Sequence, residues 1–326
     1  MNAAALGQGL ARRLIDQRHK TAVLGLFAGT LFLSALLLFS VQPMFAKMVL
    51  PRLGGSPSVW AVSMCFFQAV LLAGYCYAHA LNRFVVARWA PLVHLSLMGI
   101  ALLALPIGLS PAWSEPAAGE TYLWLIGALG AGVGLPFFVI SANAPLVQAW
   151  FARSGHPHAK DPYFLYGASN LGSLIALLSY PVLIEPFAGL ASQAAIWTAG
   201  FIALGLGLAA CGLAMAAVQK LGRAGAAADT ESTEDAGVAA PAWRDRLVWI
   251  WLAAVPSGLL VAFSSYLTTD IASAPFLWVL PLAAFLATFI LVFTERPWIS
   301  QRLLLLVQPL LAAGVMMGLG ITSNGG

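Results

Sequence analysis

The chain has 326 residues, 60% of them hydrophobic and 9% charged, with a mean hydropathy of +0.87 and a formal net charge of +4. A soluble globular domain carries about 25% charged residues, so the composition excludes one and indicates an all-α polytopic membrane protein whose first partner is the lipid bilayer. The basic residues are scattered between apolar runs and form no patch, which argues against a nucleic-acid partner and for a role in setting topology.

Residues 1–20 form a basic tail containing Arg12, Arg13, Arg18 and Lys20. The apolar run behind it is too long for a signal-peptide core and has no small-residue cleavage site after it, so the first helix is expected to stay in the protein. At about 20 apolar residues per crossing, the sequence predicts nine transmembrane helices, at 21–42, 57–81, 90–109, 122–150, 163–184, 193–218, 247–268, 275–294 and 303–321. Of the 16 Lys and Arg residues, all but Lys47 and Arg52 fall on one side of these spans. That side is expected to be the cytoplasm, with the N-terminus on it. The opposite loops carry Glu115, Glu120, Glu185 and Asp270.

The two exceptional cations lie in residues 39–60, which also hold Gln42, Pro43, Pro51, Gly54, Gly55 and Pro57. Short loops translocate whatever their charge, which is one account of Lys47 and Arg52; a functional role is the other. Residues 43–52 also fit an amphipathic interfacial turn, with Met44, Phe45 and Met48 in the bilayer and Lys47 snorkelling towards water.

Single polar residues mark the next spans. His79 and His94 are each expected to be bundle-facing hydrogen-bonding residues, since neither has an acidic partner evident in sequence. The fourth run contains Pro136 and Pro145, which remove intrahelical bonds, so a kinked or broken helix is expected there. Asn143 in that run must find partners inside the bundle, and Gln148 follows it. Gly130-Ala-Gly-Val-Gly134 has no preceding strand and suits a close-packing face better than a nucleotide loop.

His156 and His158 lack metal-ligand spacing. Cys65, Cys76 and Cys211 lie within apolar runs without a Cys-x-x-Cys pattern, so neither a disulfide framework nor a metal or other cofactor is indicated. Asp161 and Pro162 suit the start of the fifth helix, as N-cap and first-turn proline. Tyr166 and Asn170, four apart on one face, are expected to point into the bundle.

Residues 219–246 change character, from Lys220 and Arg223 to an acidic cluster at 229–235 and then Pro241. They predict a flexible cytoplasmic linker between a six-helix bundle at 21–218 and three further helices at 247–326. Beyond the linker, Phe263-Ser264, Asp270 and Pro275-Phe-Leu-Trp278 parallel Phe39-Ser40, Lys47 and Pro57-Ser-Val-Trp60. If this is a repeat, helix 7 corresponds to helix 1, as in two six-helix halves of which the second is incomplete here. Lys47 is then expected to pair with Asp270.

Several long stretches resemble a known family together: Leu38-Phe-Ser-Val-Gln-Pro-Met-Phe-Ala-Lys-Met-Val-Leu-Pro51, Gly54-Gly-Ser-Pro57, Leu135-Pro-Phe-Phe-Val-Ile-Ser-Ala-Asn-Ala-Pro-Leu146, Asp161-Pro-Tyr-Phe-Leu-Tyr166, Ser169-Asn-Leu-Gly-Ser173 and Tyr266-Leu-Thr-Thr-Asp-Ile-Ala272. They are similar to the transmembrane part of the bacterial fused major-facilitator/spermidine-synthase-like proteins, over nearly all of residues 22–300. The resemblance implies a major-facilitator-like layout in a bacterial inner membrane. It also implies a soluble synthase-like domain that these residues do not contain, so aminopropyl transfer is not expected of them alone.

Three functions follow. The first is a transporter-like module that binds or moves a small cationic metabolite such as a polyamine, in a cavity drawing on Gln42, Lys47, Arg52, Asn143, Gln148, Tyr166, Asn170, Glu185, Tyr266, Thr269 and Asp270. Glu185 and Asp270 are the counter-charges for such a solute. The second is a membrane anchor for a synthase-like domain or a second membrane chain. The third is a membrane-embedded enzyme whose Lys47, Arg52 and Asp270 bind a lipid head group.

Overall fold

A chain this apolar must satisfy its backbone N–H and C=O groups within its own segments, and helices do so without outside partners. The computed structural model describes residues 3–54, 56–110, 113, 116, 119–154, 156–160, 163–226, 241–267, 279–292 and 300–323. Among those residues every regular element is helical. Six helices are long and apolar enough to cross a membrane: Thr21–Leu53, Ser58–Phe84, Thr121–Ala152, Phe164–Phe187, Leu190–Ala217 and Trp243–Tyr266. Ala90–Ala104, Val279–Leu291 and Arg302–Leu311 are apolar but shorter.

The first helix, α1 (Ala3–Leu53), does not end near residue 42 as expected, but runs on through Pro43 and Pro51. Pro43 has no N–H to offer the Phe39 carbonyl. Leu37 O, a carbonyl two residues before Phe39, accepts two side-chain donors, Ser40 Oγ at 3.1 Å and Trp197 Nε1 at 3.0 Å. The continuous helix also replaces the interfacial turn expected at 43–52, because Met44 and Phe45 are buried in the bundle. Gly54, at φ +70°, stops α1, with its N–H on Leu50 O. This is the left-handed position that favours glycine after a helix. Ser56 then caps α2 (Pro57–Phe84) by accepting from Val59 N–H.

Helix α3 (Ala90–Ala101) ends in a single 3-10 turn at Leu102–Ala104, short of the residue 109 expected. Leu105 is extended because it precedes Pro106, which disfavours the helical region for its neighbour. The fourth run bends as the prolines predict. α4 comprises Thr121–Leu129, a π turn at Gly130–Gly134, Leu135–Ser141 and, after a break at Ala142, Asn143–Ala152. α5 repeats the device, with Tyr163–Ser179, a π turn at Tyr180–Ile184 containing Pro181, and Glu185–Phe187. α6 (Leu190–Ala226) extends seven residues past the expected start of the linker, and α7 (Trp243–Tyr266) begins before its expected end. α8 (Val279–Val292) and α9 (Gln301–Ser323) complete the described elements.

α1 is the central helix, packed against α5, α6 and the Asn143–Ala152 part of α4. α2 and α3 close over the rest of α4, α8 lies against α5, and α7 touches α8. In lipid, close fit rather than release of water holds helices together, so small residues at crossings matter. A Cβ built at Gly172 of α5 would run into the Phe32 carbonyl of α1, whereas one at Gly167 would meet nothing within 4 Å. Gly172→Val is therefore expected to force the two backbones apart and to destabilise the bundle by about 1–3 kcal/mol. Gly167→Ala should leave stability unchanged or slightly raised. Thermal unfolding midpoints of the two variants in detergent would check this, and equal midpoints would refute the close crossing.

Candidate functional site

Polar groups are costly inside an apolar bundle, so the places where they gather are informative. They gather at two levels. At one end of the bundle, Lys47 Nζ on α1 lies 2.8 Å from Glu185 Oε1 on α5, and both side chains are about one-third exposed, at 31% and 33%. Lys47 was expected to meet Asp270; its observed partner is Glu185, and Asp270 and Thr269 lie outside the described residues.

The neighbouring backbone is built to hold this pair. Pro181 and the π turn precede Glu185, and Pro186 follows it. Tyr180 OH donates to Gln193 Oε1 at 3.0 Å, and Gln193 Nε2 donates to Ala188 O at 2.8 Å, which ties the end of α5 to the start of α6. A cleft of about 680 Å³ opens towards the same end of α1; it is lined by Met48 and Arg52 of α1, the 104–110 segment, Ala131 and Gly132 of α4, and Leu190, Ala191, Ala194 and Ala195 of α6, and neither Lys47 nor Glu185 lines it.

The π turn of α4 forms one wall of the cleft for a traceable reason. Pro136 has no N–H to return to Gly132 O. That carbonyl accepts the Gly108 N–H instead, at 3.4 Å. A Cβ at Gly132 would strike the Gly108 carbonyl at 2.6 Å and the Phe45 ring at 2.9 Å, so glycine is what lets the segment approach. Gly130 meets nothing within 4 Å, so the expected small-residue face reduces to Gly132 with a looser contact from Gly134 to Phe66. Arg52 holds the other part of the same connection, since its Nη1 donates to Trp113 O, and the Trp113 ring sits edge-on to Trp124.

The second level lies about 20 Å further along α1, thirteen residues back from Lys47 at Ser34. There Asn143 Nδ2 donates to Ser34 Oγ at 3.0 Å, while Asn143 Oδ1 and His94 Nε2 are 2.7 Å apart. All three residues are buried. Asn143 thus finds its partners inside the bundle, and His94 is bundle-facing, as expected. His79 is not: it is exposed on the outer face of α2.

The residues expected to line one cavity are therefore distributed. Lys47, Arg52 and Glu185 share one end, and Asn143 belongs to the buried thread. Gln42 is nearly buried on α1, at 8% exposure, and Gln148, Asn170 and Tyr266 are half-buried. Tyr166 is 41% exposed, because the face of α5 turned to α1 is the one carrying Gly172. Ser34, Tyr180, Gln193 and Trp113 escape a sequence reading, since each is unremarkable until its partner is known. Among the described residues no group of three His, Cys, Asp or Glu side chains is placed to hold a metal ion.

These features define a helical protein with spanning-length apolar helices and a charged, cleft-bearing end. No family model, curated protein or solved structure matches the chain.

Two outcomes are expected. Lys47→Met and Glu185→Gln should each lower stability, and the exchanged pair Lys47→Glu with Glu185→Lys should recover most of the loss. The coupling should be about 1 kcal/mol because both groups are partly solvated; a double-mutant cycle with no coupling would dissolve the pair. Asn143→Leu leaves Ser34 Oγ without its donor and the His94 Nε2 hydrogen without its acceptor, and should cost about 1–3 kcal/mol, read as a lowered unfolding midpoint.

Proposed function

We propose that the chain is an integral membrane, transporter-like module that binds a small cationic metabolite at the Lys47–Glu185 end of the bundle. The observation that carries this reading is the ion pair itself. Two charges at the end of apolar helices are expensive to maintain, and in membrane proteins such groups mark solute or ion sites by default. Here they share an end of α1 with a cleft of about 680 Å³ whose lining includes Met48 and Arg52 but neither member of the pair.

The chemistry of the pair suits a polyamine. Lys47 presents a primary ammonium to Glu185, and a protonated amine of a solute is chemically the same group. Such a solute binds by replacing Lys47 on Glu185, and Lys47 returns when it leaves. The resemblance to the fused major-facilitator/spermidine-synthase-like proteins points to the same class of ligand. In this reading the nine apolar stretches all cross a bacterial inner membrane in a major-facilitator-like arrangement, six helices and then three. The N-terminus is cytoplasmic, and the ion pair faces the opposite side.

Anchoring of a synthase-like partner is the second reading. It is favoured by α7, which is long and apolar and has none of its residues buried among the described residues.

The test is a thermal-shift series on the purified protein with spermidine, putrescine, nucleosides and lipids, followed by uptake into proteoliposomes. A ligand at 100 times its Kd stabilises by about 2.7 kcal/mol. A polyamine is expected to raise the midpoint of the wild-type protein and not of Glu185→Gln. If polyamines leave the wild-type midpoint unmoved, or move both proteins equally, the assignment to Glu185 fails. Capture of a synthase-like protein from the native membrane without any polyamine response would favour the anchor.

A further inference from the structure

The buried thread determines its own proton positions. Asn143 Nδ2 donates to Ser34 Oγ, so Asn143 Oδ1 is the acceptor facing His94, and His94 Nε2 must carry the hydrogen. A neutral imidazole protonated at Nε2 presents only a lone pair at Nδ1. That Nδ1 is buried with no partner, and the same holds for Tyr77 OH and Trp150 Nε1. The three belong together: the Tyr77 and Trp150 rings flank the imidazole, with centroids 5.9 Å and 6.4 Å from it. His94 and Trp150 are fully buried.

Their hydrogen-bonding requirements are complementary but cannot be met by an apolar neighbour. The indole N–H only donates, the imidazole Nδ1 only accepts, and the phenol does either. A hydroxyl oxygen can accept from the indole and donate to the imidazole at once. A carbonyl or an ammonium serves one requirement and not the other.

We propose that α2, α3 and α4 enclose a site beside His94 for a water-sized hydroxyl guest, which in the resting protein is water. It donates to His94 Nδ1 and accepts from Trp150 Nε1 or Tyr77 OH, completing a polar thread that runs through Asn143 to Ser34 at the break in α4. The site is distinct from the Lys47–Glu185 end and does not depend on the nature of any transported solute. A buried water that bridges an acceptor and a donor otherwise left without partners is a common structural element of protein interiors.

Radiolytic hydroxyl-radical footprinting of the unmodified protein tests it, because radicals generated from bound water label the side chains that hold it. Trp197 and Tyr180 are the controls for His94 and Trp150: they are about as deeply buried, at 3% and 1% exposure, but their polar atoms are bonded to Leu37 O and Gln193. His94 and Trp150 are expected to be labelled several-fold faster than the two controls, and closer to Trp89, which is 50% exposed. Labelling of His94 and Trp150 as slow as Trp197 and Tyr180 would overturn the proposal and mean that the side chains bond directly to one another in a dry interior.

Discussion

The close approach of α1 and α5 at Gly172 is the constraint on which the rest of the bundle depends. Without a side chain there, the two backbones meet at the Phe32 carbonyl, and the helices then continue side by side. About four turns further along both of them, Lys47 and Glu185 come into contact. Two contacts spaced alike on both helices mean that α1 and α5 run in the same direction. The ion pair is therefore a consequence of a glycine placed far from it. A side chain at residue 172 would act on both contacts, since separating the helices at one point swings them apart at the other.

Much of this was legible before any coordinates. The apolar runs fall on helices because periodicity and length act locally, and Pro136 and Pro145 announced a disturbed fourth helix for the same reason. A carboxamide at residue 143 had to be partnered, since nothing in lipid would do it. Which groups would partner it was not legible. That depends on the rotation of α3 and α1 about their axes, a tertiary property that brings His94 and Ser34 to Asn143 and leaves His79 outside.

Lys47 and Glu185 were each legible as unusual charges, but not as a pair, because the resemblance between residues 39–60 and 263–278 directed attention to Asp270. Tyr166 is instructive in the opposite sense. It shares a face with Asn170, yet the side of α5 that enters the bundle is selected by the glycine at 172 and not by the polar residues. In a membrane, where association is driven by fit, small residues are a better guide to the inward face than polar ones.

Pro136 shows how a missing bond can become a point of attachment. Within a helix the proline leaves the Gly132 carbonyl without its usual donor, and the Gly108 N–H takes that place from outside. The resulting contact belongs to neither element's internal ladder. At 3.4 Å it is long, and its net worth is about 1 kcal/mol or less. The segment before α4 is thus tied to that helix through a carbonyl that the proline had already left without its internal donor, so the attachment takes no bond away from the helix.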